Sequence, residues 1–220
     1  LSITIPATEA TVELTATITS DSASDTYVVT YTLKNYPMVG LADFSSKTGG
    51  DIVIVTGFVY AEIKTGFFIQ DSTGDYKLFI DEYDYDGSYN LGDEVQLQGE
   101  VELNRGTYQL TNVDALTPAL STGTDVTQTP VIYEDGVTTL EPGVVYTVIG
   151  TVKLEGTHSN SYIYYTDTDS FYVYYQSPDA SIAALEALEN KEVAVNMIYY
   201  NDGDTFVYVG GTDGVAEVIS

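Results

Sequence analysis

Apolar and polar residues alternate along most of this 220-residue chain, and this alternation predicts β-strands separated by tight turns. The clearest block runs from Gly50 to Asp114. Gly57 lies inside its long first strand, where a small closed barrel needs a sharp bend that glycine tolerates. The five predicted strands are rich in Val, Ile, Thr, Tyr and Phe and cover residues 51–63, 67–71, 76–80, 94–103 and 107–113.

A second block repeats the pattern from about Gly143. Residues 146–152 align with residues 53–59 and keep a glycine at the bend, Gly150. The match continues over 161–167 against 66–71 and over 171–175 against 76–80, and strands follow at 192–200, 205–209 and 215–219. The repetition predicts two barrels of the same kind in tandem.

One helix is predicted between the third and fourth strands of the second block. Ser177 can cap it, Pro178 suits its first position, and Asn190 ends it. Its apolar residues recur at three-residue spacing: Ile182, Leu185 and Leu188.

The first 34 residues predict a hairpin with one apolar side, formed by strands at 10–18 and 26–33. An isolated hairpin is marginal in water, so this side needs a covering surface. It can pack on the chain's own barrels, or belong to a longer protein, or complete a sheet in a neighbouring subunit by strand addition. The positions assigned to this interface are Val12, Leu14, Ile18, Tyr27, Val29 and Tyr31.

Three segments, 55–59, 66–71 and 91–101, resemble bacterial secreted OB-fold modules, which occur beside nucleases and phosphatases in extracellular multidomain proteins. Residues 10–18 and 28–33 resemble the last strands of a bacterial immunoglobulin-like domain. The resemblance implies an all-β fold of two OB-like five-stranded barrels, with the short helix closing the second. The expected organisation is a hairpin (1–34), a connector (35–49), barrel 1 (50–116), a linker (117–143) and barrel 2 (144–220).

Charge limits the partners of such a chain. Asp and Glu number 33 against 7 Lys and Arg, a formal net charge of −26, so the chain should repel nucleic acid although OB barrels often bind it. An acidic β-protein without cysteine, rich in Thr and Tyr, is typical of an extracellular or cell-surface setting. No apolar run is long enough to predict a membrane span.

Catalytic chemistry is not indicated by the sequence. The single histidine, His158, lies in a predicted turn of the second block. The sequence contains no nucleophile elbow, phosphate-binding loop or metal-binding histidine spacing, so we expect a protein that is not an enzyme.

An acidic loop gives the one cofactor hypothesis, calcium. Counting from Glu82, carboxylates fall at positions one, three, five and twelve and glycine at position six, close to the calcium-loop pattern. Glu at the start and Asp at the end depart from that pattern, and a solvated acidic loop is the alternative. The candidate ligands are Glu82, Asp84, Asp86 and Asp93.

The 20 tyrosines include four that could form an aromatic platform in the second block: Tyr162, Tyr164, Tyr172 and Tyr174. They could stack on carbohydrate, or pack against other protein. We therefore expect a non-catalytic structural or adhesive protein that self-associates into a homo-oligomer or polymer, such as a fibre or surface-layer subunit linked through its N-terminal strands. The alternative is an accessory module, a carbohydrate binder or spacer, of a larger secreted hydrolase.

Overall fold

A computed structural model of the chain describes residues 10–19, 26–82, 89–115, 119–156, 160–201, 205–208 and 217–218. One α-helix, α1 (Asp179–Glu186), and one 3₁₀ helix (Leu41–Ser46) accompany the strands. The strands are β1 (Ala10–Thr19), β2 (Thr26–Asn35), β3 (Ile52–Ile63), β4 (Gly66–Gln70), β5 (Lys77–Asp81), β6 (Glu94–Asn104), β7 (Thr107–Ala115), β8 (Val131–Ile132), β9 (Val145–Glu155), β10 (Asn160–Tyr164), β11 (Ser170–Val173), β12 (Glu192–Asn201), β13 (Thr205–Val207) and β14 (Glu217–Val218).

The predicted all-β fold with two five-stranded barrels is confirmed. Barrel 1 closes in the order β3-β4-β5-β7-β6. Barrel 2 uses β9, β10, β11, β13 and β12, and the pairing of β9 with β12 closes it, while β8 and β14 attach as short outer strands. In both barrels the third strand runs parallel to the fifth, since β5 pairs with β7 and β11 pairs with β13.

The two bend glycines occupy equivalent positions in their barrels. A Cβ on Gly57 would lie 2.9 Å from the carbonyl oxygen of Gln70, and a Cβ on Gly150 would lie 2.3 Å from that of Tyr164. Neither position has room for a side chain, which explains why both blocks carry glycine there. Because their carbonyls approach equivalent glycines, Gln70 and Tyr164 are equivalent residues, and so are Phe68 and Tyr162. The alignment of residues 161–167 with 66–71 made on sequence is therefore shifted by one residue.

Each barrel encloses its own apolar core. In barrel 1 the segment before β3 contributes to that core, because Val39, Leu41 and Phe44 are all buried in it. The same segment pairs with β3, where the amide of Ile54 donates to the carbonyl of Pro37 at 2.9 Å. The residues expected to form a connector thus share the core of barrel 1.

The helix α1 lies where the sequence predicts one. Leu185 is fully buried in the core of barrel 2, and Ile182 and Leu188 pack against that core. The predicted cap is wrong: no side chain caps the helix, and Ser177 Oγ instead accepts a hydrogen bond from the amide of Tyr208 at 3.0 Å. Ser177 therefore ties the start of the helix segment to Tyr208, the residue that follows β13.

The N-terminal hairpin forms a sheet of its own. Strands β1 and β2 pair with each other over their whole length, and in the described part of the chain neither pairs with a barrel strand. Only Tyr36 separates the end of β2 from Pro37, which is already bonded to β3. The hairpin is thus joined to barrel 1 by a very short connection.

The two barrels meet through a third apolar cluster, which we call the seam. The hydroxyl of Tyr60 donates across it to the carbonyl of Gly143 at 2.7 Å. At its rim the Lys64 ammonium lies 2.5 Å from Asp179 Oδ1. Barrel 1 contributes Tyr60, Ala61, Ile63, Phe68 and Phe79 to the seam, and barrel 2 contributes Ile198, Tyr200 and Val207.

Candidate functional site

The outer faces of the second and third strands differ between the barrels. In barrel 1, Phe68 of β4 is paired directly with Phe79 of β5, and their rings lie 4.9 Å apart. Tyr200 of barrel 2 packs on both rings, at centroid distances of 6.4 and 5.1 Å. The face of barrel 1 is therefore covered by its neighbour in the same chain.

The equivalent face of barrel 2 carries tyrosine instead of phenylalanine. Tyr162 of β10 is paired directly with Tyr172 of β11, with ring centroids 5.4 Å apart. Both side chains are partly exposed, as is Tyr164 two residues along β10. Among the described residues, these three tyrosines belong to neither barrel core nor to the seam.

Charged groups on β9 border these tyrosines. Lys153 Nζ lies 4.2 Å from the centre of the Tyr164 ring, a cation–π contact. The Tyr164 hydroxyl donates to Glu155 Oε1 at 2.6 Å, and this hydrogen bond raises the pKa of the phenol. Burial raises the pKa of Tyr172 as well. We call the surface formed by Tyr162, Tyr164, Tyr172, Lys153 and Glu155 the tyrosine face.

Tyr174, the fourth predicted platform residue, lies elsewhere. Its ring stacks on Tyr200 at 5.1 Å with an interplanar angle of 14°, and it packs against the seam. Burial, with Tyr175 close by, raises the pKa of Tyr174 to about 12. The structure thus brings together three of the four predicted tyrosines and assigns the fourth to the contact between the barrels.

The hairpin register places the six predicted interface positions on one face. Residues directly opposite each other in an antiparallel pair share a face of the sheet. The other face carries Thr15 opposite Thr30 and Glu13 opposite Thr32. The pairs on the apolar face are Val12 with Leu33, Leu14 with Tyr31, Ala16 with Val29, and Ile18 with Tyr27.

The proposed calcium ligands are only partly within the described residues, because Asp84 and Asp86 lie outside them. Asp93 is buried, and its Oδ2 accepts from the amide of Asn90 at 2.8 Å. In the described part of the chain no group of three or more acidic, His or Cys side chains is placed to hold a metal ion.

The two described ends of that loop attach to different places. The carbonyl of Asp93 bonds to the amide of Val59 within β3, whereas the amide of Glu82 bonds to Thr65 beyond the end of β3. The strand from Val59 to Ile63 alone spans about 13 Å. For Glu82 and Asp93 to bind the same cation, their two carboxylates would have to close this separation.

A buried polar cluster in barrel 1 was not predicted from the sequence. Gln109 is almost fully buried, and its Nε2 donates to Asp81 Oδ2 at 3.1 Å and to Glu102 Oε2 at 2.7 Å. Burial and the nearby Glu102 raise the pKa of Asp81. One amide thus holds two carboxylates together, an arrangement that the alternation pattern alone cannot reveal.

The remaining sequence candidate, His158, lies outside the described residues. Within those residues no helix has the length and apolar character needed to cross a membrane. Comparison with known proteins adds no assignment: no family model matches the chain, and no curated protein matches it.

Proposed function

We propose that this chain is a non-catalytic, extracellular structural protein that associates with copies of itself through its N-terminal hairpin, as a fibre or surface-layer subunit. One observation carries the proposal. The hairpin is a separate two-stranded sheet whose register collects its apolar positions on one face. Such a face is marginal in water until another surface covers it.

The connection between hairpin and barrel supports coverage by another copy. With Tyr36 alone between β2 and the bonded Pro37, the hairpin has little chain with which to turn back onto either barrel. A strand of ten residues reaches about 33 Å, so the hairpin can extend well beyond its own barrel. If the acceptor surface on the next copy differs from the hairpin, the contact is heterologous, and it builds an open polymer when the rotation between copies does not close into a ring.

Charge sets the conditions for assembly. With a formal net charge of −26, copies repel one another at low ionic strength. Salt shortens this repulsion, since the Debye length falls from about 10 Å at 0.1 M to about 3 Å at 1 M. Association driven by apolar surface should therefore strengthen as salt is added, and this dependence suits a saline extracellular setting.

The test uses a matched pair of double substitutions in the 220-residue chain. Leu14→Asp with Tyr31→Asp places two charges on the apolar face, and Thr15→Asp with Thr30→Asp places the same charges on the opposite face. Light scattering and electron microscopy should show concentration-dependent assembly of the unaltered chain and of the Thr15/Thr30 variant. The Leu14/Tyr31 variant should stay monomeric with an unchanged melting temperature.

Two outcomes would count against self-association. If the unaltered chain remains monomeric at high salt and high concentration, the proposal is wrong. If the Leu14/Tyr31 variant lowers the melting temperature of the monomer, the hairpin packs on its own barrels. In either case the competing role, an accessory module of a secreted hydrolase, becomes the better account.

A further inference from the structure

We propose that the hairpin of one copy docks on the outer face of β8, β9 and β12 in barrel 2 of the next copy. This inference rests on the proposed self-association and names the surface that accepts the hairpin. Along β9 the residues of this face alternate with Tyr146 and Val148, which are buried in the core of barrel 2. We call it the isoleucine face, and it consists of Ile132, Thr147, Ile149, Ala194 and Asn196.

Two large apolar side chains lie exposed on the isoleucine face. Ile132 is 62% exposed and Ile149 is 48% exposed. The register brings them near each other, because Ile132 pairs with Thr147 and Ile149 lies two residues further along the same side of β9. Single exposed apolar residues are ordinary on a protein surface, whereas adjacent ones mark a contact site. The centre of this face is therefore an apolar surface that suits a partner.

Barrel 1 shows that the fold does not require an exposed isoleucine at this place. The equivalence of the two bend glycines makes Thr56 the residue equivalent to Ile149. Thr56 is paired with Gln96, whose Nε2 donates to the Thr56 hydroxyl at 3.4 Å. Ile149 is paired instead with Ala194. Since a polar pair serves the strands of barrel 1, the apolar pair of barrel 2 is better explained by a surface that covers it.

Charge favours the hairpin of another copy as the partner. The isoleucine face contains no charged residue, and acidic residues lie only at its borders: Glu134, Glu192 and Glu217. Strands β1 and β2 contain two charged residues, Glu13 and Lys34, and the register places both on the side opposite the apolar face. Although the chain has a net charge of −26, these two faces can meet without bringing like charges into contact.

The positions of the two surfaces define how copies would connect. The hairpin precedes barrel 1, whereas the isoleucine face belongs to barrel 2. Each copy therefore carries one donor hairpin and one acceptor face, and it can bind one neighbour through each. A head-to-tail contact of this kind extends into a polymer when it does not close into a ring.

Complementation between two variants tests the contact directly. Ile132→Asp with Ile149→Asp alters the acceptor, and Leu14→Asp with Tyr31→Asp alters the hairpin. In light scattering, each variant alone should stay monomeric where the unaltered chain assembles. An equimolar mixture should form a species of twice the monomer mass and grow no further. In that species the intact hairpin of the acceptor variant binds the intact isoleucine face of the hairpin variant.

Two further variants control for charge and for folding. Leu91→Asp with Leu103→Asp places the same charges on leucines of barrel 1 that are 58% and 55% exposed, and this variant should assemble as the unaltered chain does. Ile132→Thr with Ile149→Thr keeps residues that suit strands and removes apolar surface. It should raise the concentration needed for assembly about tenfold.

The outcomes separate this inference from the proposed function. If the hairpin variant is monomeric but the acceptor variant assembles like the unaltered chain, self-association stands and the isoleucine face is not the acceptor. Dimers of the acceptor variant alone would mean that hairpins bind each other, which also overturns the inference. If the aspartate substitutions at Ile132 and Ile149 unfold the chain, unchanged assembly of the threonine variant overturns it. An unaltered chain that stays monomeric at high salt and high concentration overturns the proposed function and this inference together.

Discussion

The hydroxyl of Tyr60 in barrel 1 donates a hydrogen bond to the carbonyl of Gly143, the residue two before β9 of barrel 2, at a distance of 2.7 Å. Both residues are buried, and the amide of Gly143 in turn donates to Tyr199 on β12. This pair therefore joins the first strand of one barrel to the fourth strand of the other. It makes the seam testable at single residues.

Replacing Tyr60 with Phe should destabilise the chain by about 1–2 kcal/mol, because the substitution leaves a buried carbonyl without its donor. Thermal or urea unfolding followed by circular dichroism measures the change. Tyr76→Phe is the matched control, since Tyr76 is 49% exposed, and its effect should stay within about 0.5 kcal/mol. Equal effects at the two positions would show that the hydrogen bond from Tyr60 to Gly143 contributes nothing to the free energy of unfolding.

Replacing Gly143 with Ala should cost more, about 2–4 kcal/mol. Its φ of 81° is unfavourable for alanine, and the added Cβ would lie 2.8 Å from Lys77 Cβ and 3.0 Å from the Tyr60 hydroxyl. Gly136→Ala separates the two causes, because Gly136 has a φ of 68° but open space around it, and should cost only about 1 kcal/mol. A loss no larger at Gly143 than at Gly136 would contradict the close approach of the barrels.

The cluster around Gln109 predicts a pH dependence on the acid side. Burial and the nearby Glu102 raise the pKa of Asp81 in the folded state above its ordinary value of 3.8. At pH values just above 3.8 the folded state therefore binds more protons than the unfolded state. This group's contribution to stability is fully present below pH 3.8 and is lost as the pH rises through its raised folded pKa. Asp81→Asn should therefore stabilise the chain at pH 7, by less than about 1 kcal/mol, because the carboxyl is partly exposed and solvent screens its interactions.

That gain should shrink as the pH falls, because protonation gives the Asp81 side chain the neutral state that an asparagine holds permanently. Urea unfolding at several pH values between about 4 and 7 measures the gain, with Asp114→Asn as a control at an exposed acid. If Asp81→Asn destabilises the chain at neutral pH, folding does not raise the pKa of Asp81.

Seam tyrosines should resist ionisation. Burial raises the pKa of Tyr60 and Tyr200 above 10 and that of Tyr174 to about 12. The stability linked to these phenols is fully present below pH 10 and is lost as the pH rises through their folded pKa values. Tyrosinate absorbance should rise in two phases, and Tyr174→Phe should reduce the later one. One phase centred near the ordinary phenol pKa of about 10 would mean that the seam is open to solvent.

The calcium hypothesis remains a prediction with a simple measurement. If Glu82, Asp84, Asp86 and Asp93 hold calcium, adding the ion should raise the melting temperature and chelation should reverse the rise. Asp84→Asn with Asp86→Asn should abolish the response. Asp167→Asn, an exposed acid outside the loop, should preserve it. A melting temperature that calcium and chelator leave unchanged would remove the hypothesis.

The barrels could be predicted from sequence because their signals are local. Strand alternation, turn residues and one glycine at each bend determine where the chain pairs and where it curves. Gly57 and Gly150 are each forced by a carbonyl oxygen of the next strand, so the glycine itself marks the bend.

The seam could not be predicted in the same way, although a signal was present. Phe67, Phe68 and Ile69 are consecutive apolar residues, and all five residues of β4 are buried. A run without alternation indicates a strand covered on both faces, but it does not say which surface covers the second face. The burial of Gln109 between two carboxylates left no signal at all, because Gln also suits an outward strand position.

Equivalent faces of the two barrels carry phenylalanine in barrel 1 and tyrosine in barrel 2. This difference favours the packing of a barrel on the phenylalanine face over packing on the tyrosine face. Phe68 and Phe79 can be buried against another barrel without leaving a polar group that lacks a hydrogen-bond partner. The same contact made on Tyr162 and Tyr172 would bury two phenol hydroxyls, and each one left without a partner would cost about 1–3 kcal/mol. A barrel of a second molecule therefore gains little free energy by packing on Tyr162 and Tyr172. This difference from the Phe68 and Phe79 face limits uncontrolled stacking between molecules.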